Sequence, residues 1–426
     1  MKYYHFYSRR TPQINKVAKF MNKNLNDNYN CDIFNLNIFD FLYNFLQIVI
    51  DKNFWIWSYK KQNYYFYYKN NILKTIIRYP DIYKIRIFKK ILFLAFELRA
   101  HMIKVLVLNK LSKKEPGVIL VWNGAYFPHK LLIEFAKDTD FKILYFEIAH
   151  FPNRIQVDSH GVNHYSSLPR EPEFYLNFQD HRNNYKPTDE KSNQNNFSND
   201  LPQHIAVRKN KLKPDGKVVL KPASYIFVVF QVPSDMQILE LSPWIKDMYH
   251  FYDIVFEMAN RIGNLHFVIK EHPSFKLKIF NNVKKHPRII FDNWGDTKEL
   301  IINSDAVLTI NSTAGLEGLV LEKKVINLGL ANYNIKGLVL HAFSSDQLFY
   351  HLTNLKNWTY DENLRVNFLK YYYNKYLISG SYSNLDTLTL DAIISKSIVN
   401  FYEKRLGPSI QPSTLASAQS LKADCT

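Results

Sequence analysis

Cysteine is nearly missing. The 426-residue chain has two, Cys31 and Cys425, too few for a disulfide framework or a cysteine-based zinc site. Glycine is scarce as well, 12 residues beside 17 prolines, which excludes collagen-like and Gly/Pro-rich low-complexity architecture. Acidic residues are outnumbered: 38 Asp and Glu stand against 55 Lys and Arg, a formal net charge of +17. Long hydrophobic runs are also lacking. No stretch reaches the roughly 18 uncharged apolar residues that a membrane-spanning helix needs. Residues 1–20 hold no apolar block of the secretory type, because Arg9, Arg10 and Lys16 interrupt them, so no secretory leader is expected. The longest apolar region, 87–108, is broken by Lys89, Lys90, Glu97, Arg99 and Lys104. It reads as a long helix with a wide apolar face, packed on a sheet in preference to lying on a membrane surface.

What is present supports a folded chain. Hydrophobic residues make up 46% and aromatics 15%, which is enough for sizeable cores and excludes an intrinsically disordered protein. The length fits two or three domains. The positive charge calls for nucleic acid, an anionic membrane surface or an anionic substrate. The run WIWSYKKQNYYFYYKNNILKTIIRY at 55–79 has the composition to stack bases or to sit at a headgroup layer. An aromatic-rich strand or helix pair is the plain structural alternative. No cluster of Arg and Lys on a helix and no RNA-binding signature accompanies it, so nucleic acid is not an expected partner.

Along the chain, β-rich and helical stretches alternate. Short strands at 2–8 and 33–38 precede helical patterns that continue to about 110. A β-rich run at 117–122 ends in Asn123-Gly124, a helix follows at 129–138, and a second β-rich run lies at 142–146. This strand–helix–strand unit marks a parallel sheet. The sequence turns polar through 182–222, a linker or loop between domains. A second alternation follows: strand 225–230, helix 244–261, strand 266–270, strand 289–291, helix 297–302, strand 306–310, helix 314–321 and a last strand at 325–328. That is a doubly wound α/β pattern. The domain reading is therefore 1–181 as an N-terminal α/β domain on the acceptor side, 223–340 as a Rossmann-like nucleotide-sugar domain, 341–406 as C-terminal helices and 407–426 as a disordered tail. The fold class is α/β and GT-B-like: two Rossmann-type domains facing across a cleft, with helical N- and C-terminal additions.

Ligands of open α/β sheets bind beyond the carboxyl ends of the strands, so the residues after each strand are the candidates. Glu147 follows 142–146. Gln231-Val232-Pro233-Ser234-Asp235 follows 225–230. Glu271-His272-Pro273 follows 266–270, and Asn311-Ser312-Thr313-Ala314-Gly315 follows 306–310. The last turn opens a helix, whose free backbone N–H groups and positive dipole end suit a phosphate; ordinary capping by Ser312 or Thr313 is the structural alternative. Glu317 lies one helical turn beyond Thr313 on the same face, where a carboxylate can hold a ribose hydroxyl pair. Lys270 and His272 alternate around Glu271 and so point to one side, as two groups serving a leaving phosphate would. Glu147 and Asp235 come from different domains, and paired carboxylates across a cleft can divide glycosyl transfer between nucleophile and acid/base. For each, a solvated loop acid is the alternative. Asp158 and His160 read as parts of a tight turn built on Gly161. No metal cluster is visible.

These residues resemble a known set. FEIAHFPNRIQVDSHGVNHYSSLPREPEFY (146–175) is similar to the Glu-x-Gly … Gly-Val-Asn-x-x-Ser-x-x-Pro-Arg segment of capsule polysaccharide biosynthesis proteins, bacterial β-Kdo transferases that act on capsule lipid anchors. Ile148-Ala149-His150 stands at the Glu-x-Gly position. Downstream, Gln231-x-Pro-x-Asp235, Lys270-x-His-Pro273 and Asn311-Ser-Thr-x-Gly-Leu-Glu317 follow in the family's order. The resemblance spans about 118–337.

The resemblance implies a retaining glycosyltransferase of capsule synthesis, with CMP-Kdo as donor substrate and no other cofactor. The acceptor would be a phosphatidylglycerol-type lipid or a Kdo-terminated oligosaccharide. It implies Asp235 as nucleophile, Glu147 as acid/base and His272 with Lys270 at the departing phosphate. Gln231, Asn311, Ser312, Thr313, Gly315 and Glu317 would make up the rest of the donor site. A cytoplasmic protein peripheral to the inner membrane would follow. Two rival readings remain: another GT-B transferase with a CDP- or UDP-activated donor, and a basic nucleic-acid- or membrane-binding protein without catalysis.

Overall fold

The computed structural model describes residues 1–7, 11–25, 29–34, 65–179, 219–275 and 277–403. The expected tail at 407–426, most of the polar stretch at 182–222 and residues 35–64 lie outside the described residues. The chain builds two sheets. In the first, β1 (Lys2–Phe6), β2 (Asn30–Phe34), β3 (Val118–Trp122) and β4 (Lys142–Ile148) run parallel, and β5 (Arg154–Asp158) is added antiparallel to β4. In the second, β6 (Ile226–Val229), β7 (Phe267–Lys270), β8 (Ile289–Phe291), β9 (Ala306–Thr309), β10 (Lys324–Asn327) and β11 (Leu340–His341) are all parallel. A last strand, β12 (Ile378–Ser379), pairs antiparallel with β5 and so closes the outer edge of the first sheet.

The central strands are short apolar runs buried along almost their whole length: Val118–Trp122 in the first sheet, Ile226–Val229 and Ala306–Thr309 in the second. Helices cover both faces, so there is no solvated side to alternate against. In the first domain, α1 (Pro12–Asn24) covers one face. Helices α2 (Tyr65–Arg78), α3 (Pro80–Tyr83), α4 (Arg86–Leu111) and α5 (His129–Lys137) follow before β4, and α2, α4 and α5 supply the core of the other face. Beyond β5 comes the short α6 (Pro172–Leu176). In the second domain, α7 (Met236–Leu241), α8 (Met248–Arg261), α9 (Thr297–Ile302) and α10 (Thr313–Val320) link the strands. Asp235, Asp247, Asp296 and Ser312 cap the N-termini of these four helices, each accepting a hydrogen bond from a backbone N–H in the first turn, which satisfies a donor that the helix itself leaves open.

Several expectations change. The helix expected at 244–261 begins at Met248, and residues 236–241 form a separate short helix. Trp244 sits in the loop between them, where its indole N–H donates to the carbonyls of Leu328 (2.8 Å) and Ala342 (3.0 Å). The strand at 325–328 is not the last of its sheet, because β11 pairs beside it. The segment expected as a separate helical unit at 341–406 is shared out. Helices α11 (Ser345–Thr353) and α12 (Glu362–Tyr371) pack on the second domain, while β12 and α13 (Thr387–Glu403) return to the first. The helix read at 87–108 is a core helix only in its second half: Ala100, Ile103, Leu106 and Val107 are buried, and the turns before them are exposed. Among the described residues, no helix is long and apolar enough to cross a membrane.

The two domains are tied together by Glu240 of α7. It pairs with Lys130 of α5 and accepts from Asn70 Nδ2 of α2 at 2.6 Å, and both members of the ion pair are 14% exposed. Replacing Glu240 with Ala leaves a largely desolvated ammonium and an amide without their acceptor. We expect a loss of about 1–3 kcal/mol of stability, with Glu240→Gln intermediate because it keeps an oxygen for Asn70. Thermal denaturation checks this; unchanged melting in Glu240→Ala would show that the pair does not hold the domains.

Candidate active-site cleft

Numbered within its own domain, the second sheet runs 3-2-1-4-5-6, the strand order of a dinucleotide-type fold. The winding reverses between β6 and β9, and it is at the carboxyl ends of such strands that open α/β sheets take their ligands. Gln231 and Asn311 meet there. Gln231 Nε2 donates to Asn311 Oδ1 (2.9 Å), and Gln231 Oε1 accepts from the Asn311 backbone N–H (3.1 Å). Asn311 Nδ2 in turn donates to the carbonyls of Gln237 (2.8 Å) and Leu241 (3.0 Å). Both amides are buried. Two residues expected at the donor are thus brought together, and they are engaged with each other and with α7.

Four residues beyond Gln231, the Asp235 carboxylate accepts from the Gln237 N–H at 3.0 Å. That cap orients it at the start of α7, where it is partly exposed. From the other domain, Glu147 stands one residue before the end of β4. It is held by the side-chain amide of Asn123 and by the N–H of Ile148 (2.8 Å). Asn123 can reach it because Asn123 and Gly124 both adopt positive φ (60° and 79°), and an Asn-Gly pair turns that way readily. Tyr126, in the loop just after this turn, feels both carboxylates. Burial first, then the charges of Asp235 and Glu147, push its hydroxyl well above its ordinary pKa, against a backbone hydrogen bond with Met236 and the charge of Arg78. Tyr126 therefore keeps its proton at neutral pH and can donate one hydrogen bond into the cleft.

The donor-side residues divide. The Ser312 hydroxyl accepts from the Ala314 N–H (3.2 Å), while its carbonyl accepts from the Tyr333 hydroxyl (2.5 Å). A Cβ on Gly315 would lie 2.4 Å from the same Tyr333 oxygen, so this glycine serves close packing. Thr313 is exposed at the first turn of α10, and Glu317 lies one turn further along. Lys270 is buried; its ammonium donates to the Gly295 carbonyl and to Thr297 Oγ1 (3.0 Å). The His272 ring accepts at Nδ1 from Ser274 Oγ (2.8 Å) and lines a small hollow with Gln231, Pro233 and Glu271. The expected convergence of Lys270 and His272 on one phosphate is thus replaced by two destinations, because the long lysine side chain bends under α9. Glu271 is spoken for by Asn293 Nδ2 and the Ile279 N–H. Asp158 staples its turn, accepting from the N–H groups of His160 (2.7 Å) and Ser167 (2.8 Å), in line with the turn expected there.

Four residues near these carboxylates escaped the sequence reading. Tyr126 had a signal, since it follows the Asn-Gly turn at a strand end. Arg78 and Lys74 had none beyond their charge. Arg78 Nε approaches Ser234 Oγ (3.4 Å), and the Lys74 ammonium lies 4.0 Å from the centre of the Tyr126 ring. Tyr382, whose hydroxyl donates to the Glu147 carbonyl (3.0 Å), arrives from the far end of the chain and could not be placed by local pattern.

Burial, with help from the charge of Asp296, raises the Glu317 carboxyl to about 7, and Lys270 only partly offsets this. A carboxyl raised on folding favours the folded state below its unfolded pKa, and this contribution is lost as pH rises through the folded value. Glu317→Gln should therefore match the parent near pH 4.5 and become progressively more stable than it up to about pH 7. Melting temperatures of the two proteins across this range test it; a constant difference would mean that Glu317 titrates normally.

Comparison with known proteins gives the family. The pattern described as capsule polysaccharide biosynthesis protein matches residues 205–382. Protein FixF of Sinorhizobium fredii (strain NBRC 101917 / NGR234) is 36% identical over 356 residues, covering 80% of this chain and 83% of that protein. Capsule polysaccharide export protein KpsS of Escherichia coli is 28% identical over 266 residues, covering 50% of this chain and 68% of that one. Among solved structures, the β-Kdo 2,7 transferase of Thermosulfurimonas dismutans KpsC aligns over 94% of this chain and 99% of its own, at 14% identity and a TM-score of 0.46. With more than a third of its residues shared with FixF over four fifths of its length, and the family pattern across the second domain, this chain belongs to the capsule polysaccharide biosynthesis protein family.

Proposed function

We propose that the chain is a retaining glycosyltransferase of surface polysaccharide synthesis that moves a 3-deoxy-ulosonic acid, Kdo, from CMP to a lipid-linked or Kdo-terminated acceptor. The observation that carries this reading is the way α2 of the first domain reaches both sides: Arg78 approaches the hydroxyl of Ser234, the neighbour of Asp235, and Lys74 lies over the ring of Tyr126, in the loop after the turn that holds Glu147. We read Asp235 as the nucleophile on one wall of a shared pocket and Glu147 as the acid/base group on the other.

The chemistry runs in two displacements. The Asp235 carboxylate attacks the anomeric carbon, a glycosyl–aspartate ester forms, and the sugar–phosphate bond breaks with its electron pair leaving on CMP. Glu147 then removes the proton of the acceptor hydroxyl, which attacks the same carbon and returns the carboxylate to Asp235. Two inversions give net retention. The N–H of Gln237 fixes the attacking carboxylate, and the Tyr126 hydroxyl and the Arg78 guanidinium are the nearby donors for the sugar's own carboxylate. His272 serves the departing phosphate as a donor. Thr313 and Glu317 hold the nucleotide at the head of α10, with Ser312, Gly315, Gln231, Asn311 and Lys270 shaping that wall. Membership of a capsule polysaccharide family supports this reading, and so does the placement of the cleft at the switch point of the second sheet.

Asp235→Asn is the informative variant, because the amide oxygen still caps α7 while the nucleophile is gone. Transfer from CMP-Kdo should fall about a thousandfold or more, with CMP still raising the melting temperature. His272→Ala should weaken donor use and leave the fold intact. Mass spectrometry of products formed with a panel of lipid and sugar acceptors is the measurement. Near-native turnover in Asp235→Asn would refute the mechanism, and protection by CDP or UDP in place of CMP would refute the donor.

A further inference from the structure

We propose that the surface formed by residues 79–94 docks on an anionic phospholipid bilayer and brings the cleft to a membrane-embedded acceptor. This names the partner surface for the function proposed above and rests on that reading for the acceptor. Chain from the end of α2 through the first turns of α4 stands clear of the body. Ile82, Ile85, Ile87, Phe88, Ile91 and Leu94 are each between 42% and 60% exposed. Apolar side chains of that size, close together in sequence and left in water, mark a binding face.

In the first three turns of α4, Ile87, Ile91 and Leu94 follow the spacing i, i+4, i+7 and share one stripe, with Phe88 to one side of it. Lys90, three residues after Ile87 and four before Leu94, and Arg86 edge the other side, and Lys89 lies opposite. An apolar stripe edged by long basic side chains suits the interface of a bilayer, where the stripe enters the acyl boundary and the cations reach back to the headgroups. The charge has one sign. Between 79 and 96 there are four basic residues and one acid, Asp81, and Asp81 is already paired with Lys84 at 2.8 Å. Arg86, Lys89 and Lys90 therefore favour anionic lipid. They also disfavour a second copy of the chain, which would present the same cations across a symmetric contact.

Position links the face to the chemistry. The residue before Tyr79 is Arg78, whose guanidinium lies at the Ser234 hydroxyl next to Asp235. The exposed face thus begins where α2 touches the cleft, so an acceptor sugar can reach Asp235 while its lipid stays in the bilayer.

The test uses the full chain and vesicles of phosphatidylcholine alone or mixed with phosphatidylglycerol. The parent protein should sediment with the mixed vesicles and be released by salt. The combined variant Ile87→Glu, Ile91→Glu, Leu94→Glu should lose about tenfold or more of that binding. Lys89→Glu with Lys90→Glu should lose most of the preference for phosphatidylglycerol. Both variants should keep the parent melting temperature, the shift on adding CMP, and transfer to a water-soluble acceptor. Equal binding of parent and variants would overturn the proposal, as would a parent that ignores both kinds of vesicle. So would a large drop in melting temperature before any lipid is added, which would mean that other residues of the chain cover this face. A concentration-dependent dimer that the triple variant abolishes would assign the face to a second copy. If vesicle binding behaves as expected but no acceptor is glycosylated, the surface stands and the donor reading falls.

Discussion

Gln231 and Asn311 hold one another at the point where the second sheet reverses its winding, and the other polar groups of the cleft are placed from there. A buried amide without partners is costly. Here each side chain satisfies the other, and Asn311 extends the network to two carbonyls of α7. The loop that carries Asp235 and the turn that carries Ser312 are thereby fixed relative to each other, although they follow different strands. Glu240, on the same short helix, then ties that assembly to Lys130 and Asn70 of the first domain. A run of five amide hydrogen bonds and one ion pair therefore spans the distance from the sheet centre to the domain boundary.

Much of this architecture was legible in the residues because parallel strands buried on both faces read as continuous apolar runs. The strands read at 225–230, 289–291 and 306–310 were found to within a residue or two for that reason. The strand at Arg154–Asp158 was missed because its alternate residues are Arg154, Gln156 and Asp158, which read as surface. Gln156 is fully buried and donates to the hydroxyl of Tyr376 (2.7 Å), a partner supplied from far down the chain. The same cause hid Tyr382 beside Glu147. Periodicity gave the long helix α4 but could not say which half would meet the body. In the cleft, residue type was a good guide to which positions face the strand ends and a poor one to what they touch: Lys270 bends under α9, and Gly315 is required by Tyr333.

The excess of positive charge also has a more mixed use than a single anionic ligand would suggest. Lys130 answers Glu240, Lys221 answers the buried Asp292 (2.9 Å), and Lys74 lies over the ring of Tyr126. Arg365, itself buried, is held by Glu362 and the Leu319 carbonyl. Cations of this kind are structural. Arg78 and the cations at the start of α4, Arg86, Lys89 and Lys90, are exposed, where a partner can use them.

The return of the chain to its own beginning has a consequence for how the protein comes into being. Leu390 and Ile393 of α13 share a buried cluster with Tyr3, Ile14 and Val17, and Ile378 seals the outer edge of β5. The first domain to leave the ribosome is therefore the last to be finished. Until translation has passed α13, the part of this sheet face over β4 and β5, which α1 does not cover, lies bare, and a nascent chain of this kind needs either rapid completion or a chaperone's cover. Cutting the protein at the polar stretch between the sheets would not yield two independent halves.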